Sequence, residues 1–226
     1  TFSNMENANA IRQDFDRLAP FAGEGWNHNN HYHAFILGLV PAGCRHALDI
    51  GCGAGLLARA LSGRCEKVTG IDLSPGMIAE AEKRAAGHNN VTFAAAEMMS
   101  WTPPARFDFI ASVATLHHVP LAPALARIAD WLNPGGVFVN IDLYQQQTPA
   151  DYASSLATIP ASWLMKWRHP AGPASIEAQA AWQAHGARDV YLPLADIRRQ
   201  SVEAMPGAAV RRRLYWRYSL VWTKPR

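Results

Sequence analysis

Three glycines, Gly51, Gly53 and Gly55, alternate with other residues in "HALDIGCGAGLLARAL" (46–61). A glycine run after an apolar strand lets backbone approach a ligand closely. It also leads into a helix N-terminus, whose free N–H groups favour an anion. The dinucleotide fingerprint G-x-G-x-x-G would need a third glycine where Leu56 stands. Asp49 precedes the glycines, and an acid there sets like charge beside a pyrophosphate. It suits instead a ligand carrying both a carboxylate and a cationic amine. Asp72 lies 21 residues beyond Gly51. At the end of a strand, such a carboxylate accepts hydrogen bonds from both hydroxyls of a ribose. Glu97 follows in "AAAEMMSW". Together these residues describe a nucleoside joined to an amino acid.

Histidines supply the remaining chemistry. His117 and His118 stand side by side in "SVATLHHV", and an imidazole with a pKa near 6.5 is a usable base at neutral pH. "WNHNNHYH" adds His28, His31 and His33, but no acid or cysteine lies near them, and a helix would set His31 and His33 on different faces. No metal site is expected there. Cys44, Cys52 and Cys65 are odd in number and lack C-x-x-C spacing. They predict a reduced, cytoplasmic protein without a disulfide framework or zinc site, with Cys52 a small filler in the glycine loop.

The elements that must position these groups alternate. Strands are expected at "HALDI" (46–50), "KVTGI" (67–71), "VTFAA" (91–95), "FDFIASV" (107–113) and "VFVNIDLY" (137–144). Helices are expected at "LLARAL", at 74–86 with Ser74 as N-cap and Pro75 in the first turn, and at 121–132. "NPGG" (133–136) reads as a turn, "LADIRRQSVEAM" (194–205) as a helix, and "AAVRRRLYW" and "RYSLVWTKP" as two final strands. Alternation of this kind implies a doubly wound, mostly parallel α/β sheet with helices on both faces. Its ligands sit beyond the carboxyl ends of the strands. The economical organisation is one domain over 1–226. Residues 1–45 would be an N-terminal cover and 144–186 an aromatic-rich insert over the site, with Tyr144, Tyr152, Trp163, Trp167 and Trp182.

"ALDIGCGAG", "VTGIDLSPGMIAEA", "FDFIASVATLHHV" and "WLNPGGVFV" resemble, in order and spacing, the motifs of class I S-adenosylmethionine-dependent methyltransferases. The resemblance covers roughly residues 46–143 and a plausible C-terminal strand pair. It implies a seven-stranded sheet with the last strand antiparallel, S-adenosylmethionine as cofactor and S-adenosylhomocysteine as product. It further implies that Asp49 serves the methionyl amine, that Gly51 and Gly53 pass under the amino-acid moiety, and that Asp72 grips the ribose. Tyr32 would cover the methionyl end, and Cys52, Leu73, Met77, Met98 and Val113 would complete the cofactor shell. Glu97 stands where the family usually has an Asp facing the adenine amino group. His117, with His118 beside it, would line the acceptor pocket as the candidate base.

Composition narrows the acceptor. The chain has 226 residues, 49% hydrophobic and 17% charged, with a net charge of +3. This fits a globular domain and would not by itself recruit nucleic acid. No apolar run approaches the roughly 20 residues of a membrane-spanning helix, and the first residues predict no secretory leader. "RRRLYWR" mixes cations with aromatics, but on a strand Arg211 and Arg213 oppose Arg212, so no single patch forms. The place after the fourth strand lacks the Asp/Asn-Pro-Pro-aromatic motif of many base-amine methyltransferases. A small-molecule acceptor is therefore expected and nucleic acid is disfavoured. The alternatives are a cofactor-binding cyclase or scaffold, or an RNA or protein methyltransferase. A dehydrogenase is disfavoured by Leu56.

Overall fold

The computed structural model describes residues 2–169, 175–186 and 189–226. Seven strands form one sheet: β1 (His46–Ile50), β2 (Lys67–Asp72), β3 (Val91–Ala95), β4 (Phe107–Val113), β5 (Leu132–Leu143), β6 (Ala209–Arg213) and β7 (Arg217–Thr223). Their spatial order is β3-β2-β1-β4-β5-β7-β6. All neighbours are parallel except β7, which runs antiparallel to both β5 and β6. Strand order reverses beside β1, and the carboxyl ends of β1 and β4 border one cavity.

The central strands are apolar on both faces, because helices cover both. Along β4 and β5, Phe109, Ala111, Val139 and Ile141 enter one buried cluster, while Ile110 and Phe138 enter the other. The period-two side-chain alternation of a strand produces this division.

Helices α1 (Phe2–Leu18) and α2 (His33–Leu37) precede the sheet. Helices α3 (Leu56–Leu61), α4 (Pro75–Arg84) and α5 (Leu121–Trp131) connect its parallel strands. In α4 the expected cap is present, with Ser74 Oγ accepting the Met77 N–H at 3.0 Å and Pro75 following. After β5 come α6 (Pro149–Arg168), α7 (Ile176–Gly186) and α8 (Leu194–Ala204). A reciprocal Thr148–Asp151 capping box starts α6. Among the described residues, no helix is long and apolar enough to cross a membrane.

Two expectations need correction. "NPGG" is not a turn outside the sheet. It lies within β5, where pairing jumps from Phe107↔Leu132 to Phe109↔Val137. Gly135 adopts φ +78, and the ladder is kept by Gly135 N–H to Lys224 O and Lys224 N–H to Gly136 O, each 2.9 Å. The insert 144–186 also does not put its aromatics over the site as a group. Tyr144 is buried in the core and Trp182 borders the cavity, but Tyr152, Trp163 and Trp167 are exposed. On the single helix α6, Trp163 and Trp167 stand one turn apart and share the outer face. Residues 170–174 of that insert lie outside the described residues.

Candidate active site

A cavity of about 960 Å³ opens at the carboxyl ends of the strands. This is at the upper end for a pocket holding one drug-sized ligand, and it has room for two smaller reactants. Asp49, Gly51, Cys52, Gly53, Asp72, Leu73, Met77, Glu97, Met98, Val113, His117 and His118 all border it.

One end is built from the loop after β1. Gly51 and Cys52 donate backbone N–H groups to Ile71 O at 2.8 and 3.0 Å, tying the loop to β2. Gly51, Gly53 and Gly55 all have positive φ, which only glycine adopts freely. A Cβ on Gly51 would strike Thr115, 2.0 Å from its Oγ1, whereas a Cβ on Gly53 would meet nothing within 4 Å. Gly51 is thus glycine for packing, and Gly53 keeps its surroundings open.

The two acids behave differently. Asp72 Oδ2 accepts the Gly53 N–H and Oδ1 accepts the Ser74 N–H, both at 2.9 Å. The carboxylate therefore shapes the glycine loop as well as facing the cavity. Asp49 is 2% exposed, and its Oδ2 has no hydrogen-bond partner among the described residues. Burial, and then the neighbouring Asp72 charge, push its carboxyl up to about 7. A buried acid with an unsatisfied oxygen is costly unless a cation reaches it. The methionyl ammonium of S-adenosylmethionine is such a cation, so these residues fit that group. Glu97 Oε1 caps its own loop by accepting the Met99 N–H at 2.8 Å.

On the neighbouring strand, His117 follows β4 through Ala114, which is strained at φ +52. His117 Nδ1–H donates to Asp142 Oδ1 at 2.6 Å, and its backbone N–H donates to Oδ2 at 3.1 Å. Asp142 is fully buried on β5. Because a carboxylate only accepts, it fixes the proton on Nδ1 and leaves Nε2 to face Asp189, 3.8 Å away. Burial alone would lower the His117 pKa. The Asp142 charge and hydrogen bond, with Asp189 adding to them, outweigh it and raise the pKa above the ordinary value. His118 Nδ1 lies 3.7 Å from Asp189, whose Oδ2 accepts Tyr191 O–H at 2.8 Å. His117, His118 and Asp189 offer donor atoms within 4.8 Å of one another, a grouping that the expectation of no metal site did not foresee. A tetrahedral zinc ion, with bonds of about 2.0–2.1 Å, holds neighbouring ligands roughly 3.3 Å apart. His117 Nε2 and His118 Nδ1 both converge on Asp189, at 3.8 and 3.7 Å.

Residues of the N-terminal segment line the cavity, but Tyr32 is not among them. Ile11 and Phe15 of α1 border it, and Asp16 anchors the helix by accepting Ser74 O–H at 2.5 Å and Gly76 N–H at 3.0 Å. Tyr32 is buried elsewhere. Its ring meets His31 and Tyr215 edge-on, and its hydroxyl donates to Leu214 O at 2.8 Å. The asparagines cause this difference. Asn27 Oδ1 accepts the N–H groups of Asn29 and Asn30, Asn30 binds back to Gly25 O, and the tight turn faces Asn29 and Asn30 to the cavity. His28 stacks on Tyr215 with ring centroids 4.8 Å apart, in an aromatic packing role.

The basic C-terminal run is dispersed. Arg212 pairs with Asp151 at 2.6 Å, Arg213 lies over the Phe35 ring at 4.4 Å, and Arg217 is buried at the cavity. Sequence reading missed Asp142, Asp189, Asn29 and Arg217. An acid inside "VFVNIDLY" and a cation opening "RYSLVW" were the available signals for Asp142 and Arg217. Nothing local marks Asp189 or Asn29.

A family model described as a methyltransferase domain matches residues 47–136. An uncharacterized methyltransferase of Mycobacterium bovis is 32% identical over 204 residues, which are 88% of this chain and 98% of that protein. A trans-aconitate 2-methyltransferase of Streptomyces avermitilis is 42% identical over 103 residues, 43% of this chain and 38% of its own length. Among solved structures, the magnesium protoporphyrin IX methyltransferase of Synechocystis with bound S-adenosylhomocysteine shares the fold. Its TM-score is 0.63 at 18% identity, covering 96% of this chain and 99% of that one.

Proposed function

The chain belongs to the class I S-adenosylmethionine-dependent methyltransferases, and on that premise we propose that it methylates a small organic acceptor with the His117–Asp142 pair as base. Bound, the cofactor supplies a methyl group on an electrophilic sulfonium. Asp49 would receive its ammonium, the turn at Gly51 and Gly53 would pass beneath its amino-acid part, and Asp72 would take the ribose hydroxyls. Leu73, Met77, Met98 and Glu97 would surround the adenine, with Cys52 and Val113 closing the wall.

His117 has the arrangement of an oriented base. Asp142 holds the Nδ1 proton and the ring plane, and Nε2 is left to accept a proton from an acceptor hydroxyl. His118 packs beside it with ring centroids 3.9 Å apart and helps hold it over the rim. Phe15 and the 22–30 turn shield this end from water, which strengthens the charges inside. Residues 1–226 act together as one domain, with α1 as the cover.

One observation carries the reading. The same cavity joins the unsatisfied Asp49 carboxylate and open glycine loop to the His117–Asp142 pair, so both reactants can meet in one cavity. The name of the Streptomyces relative, which specifies a small organic acid, supports an acceptor of that size. The test is incubation of host extracts with the protein and isotopically labelled S-adenosylmethionine, followed by mass spectrometry. A labelled product of small mass is expected. Label found only in protein or RNA would overturn the acceptor class.

A further inference from the structure

Arg217 opens β7 beside Leu143, the last residue of β5, and both border the cavity. Only 7% of Arg217 is exposed. Its Nε and Nη2 donate to Asn29 Oδ1 at 3.2 and 2.6 Å, and its Nη1 donates to Tyr215 O at 3.1 Å. Each of these acceptors is neutral. Among the described residues, no carboxylate lies within 4.0 Å ion-pair distance of the guanidinium. Buried charges are ordinarily paired with an opposite charge. The nearby acids hydrogen-bond or face other groups, Asp142 with His117 and Asp189 with His117, His118 and Tyr191; the Asp142 charge favours the guanidinium from beyond contact, and burial still outweighs it. The three bonds leave one N–H on each terminal nitrogen, donors that a carboxylate's two oxygens can accept.

Considerable structure is committed to holding this cation. The turn before it places Tyr215 and Trp216 at φ +58 and +57, where glycine or asparagine is the usual choice. Burial of Tyr215 against Trp26, His28 and His31 holds that turn, and the asparagine turn delivers Asn29 to the guanidinium. Asp49 and Asp72 border the cavity at the glycine loop and Arg217 borders it at the start of β7, while Asp189, facing His117 and His118, borders it too. β7 stands three places from β1 in the sheet, roughly 14 Å at a strand spacing of about 4.8 Å. Arg217 is therefore on the acceptor side of His117, not beside the loop that takes the cofactor's amino-acid part.

We propose that the acceptor is a carboxylic acid whose carboxylate is held by Arg217, which makes Arg217 the residue that selects an anionic acceptor. This rests on the methyltransferase reading above and names the acceptor's class. The test uses protein loaded with S-adenosylhomocysteine and two matched probe pairs, benzoate with benzamide and cinnamate with cinnamamide, measured by calorimetry. In the unaltered protein the acids should bind at least tenfold tighter than their amides. Arg217→Gln should abolish that preference, and Arg217→Lys, which keeps the charge and loses the fork, should weaken acid binding at least fivefold. Affinity for S-adenosylhomocysteine should change less than twofold in either variant. If Arg217→Gln does not fold, the unaltered protein and Arg217→Lys decide the matter. Equal affinity for acids and amides, or binding of neither, overturns the proposal. So does a tenfold loss of S-adenosylhomocysteine affinity in Arg217→Lys, which would assign the guanidinium to the cofactor's own carboxylate. Failure of the unaltered protein to bind S-adenosylhomocysteine at all would instead defeat the methyltransferase reading on which the proposal stands.

Discussion

His117 and Asp142 are joined twice, ring Nδ1–H to Oδ1 at 2.6 Å and backbone N–H to Oδ2 at 3.1 Å, so one buried carboxylate fixes both the loop after β4 and the tautomer of its imidazole. A base must be neutral to accept a proton. Because the His117 pKa stands above the ordinary 6.5, the rate should rise with pH through a midpoint above 6.5. Asp142→Asn removes the charge that raises this pKa, so the midpoint should move to lower pH while the maximal rate falls. A pH–rate profile of both proteins checks the direction, and an unmoved midpoint would separate Asp142 from the catalytic titration.

His117→Ala should lower kcat by roughly 10²–10⁴, the usual contribution of a positioned base. Affinity for S-adenosylhomocysteine should stay nearly intact, because the His117 ring bonds Asp142 and none of the glycine-loop residues or Asp72. An acceptor ionised without help would lose little in this variant. Steady-state kinetics with calorimetry on the same samples distinguishes the two cases.

Asp72→Ala should weaken S-adenosylmethionine and S-adenosylhomocysteine by about 10- to 150-fold, from the loss of charged hydrogen bonds of roughly 1.5–3 kcal/mol. Since Asp72 also holds the Gly53 and Ser74 N–H groups, the melting temperature should fall as well. No measurable binding of NAD is expected for either protein. Unchanged cofactor affinity in a folded Asp72→Ala protein would remove the ribose assignment.

Gly51 and Gly53 should fail in different ways. Gly51→Ala drives a methyl into Thr115 and should lower stability. The Cβ of Gly53→Val meets no neighbouring atom within 4 Å, so the chain should still fold after a backbone cost of about 1–2 kcal/mol at positive φ, yet lose cofactor binding. Thermal melts paired with calorimetry separate the two. Normal affinity in a folded Gly53→Val protein would mean that the loop is only a turn.

Asp49 should make cofactor binding pH-dependent. With its carboxyl pushed up to about 7 in the free protein, the acid is increasingly protonated as pH falls below that value, and a cationic amine binds the ionised form. Affinity for S-adenosylhomocysteine should therefore fall from pH 8 to pH 6, with proton release on binding near pH 7. Calorimetry in buffers of different ionisation enthalpy measures that release, and Asp49→Asn should abolish it.

The sequence by itself determined the alternation of strands and helices, the glycine loop, Asp49, Asp72 and the position of His117. Each of these is written within a few residues, as an apolar strand followed by its own loop, and local periodicity and turn chemistry are enough to read it. The tertiary structure decided what those residues meet. Asp142 reaches His117 across 25 positions because β4 and β5 run parallel and end at one rim, and Asn29, in a turn before β1, reaches Arg217 across 188 because antiparallel β7 begins at that rim. The same long-range packing turned Tyr32 into the aromatic core, exposed Trp163 and Trp167, and left Arg217 buried among neutral acceptors. No local pattern encodes these outcomes, since burial and charge pairing are properties of neighbours in space, and most of these neighbours are far apart in the chain.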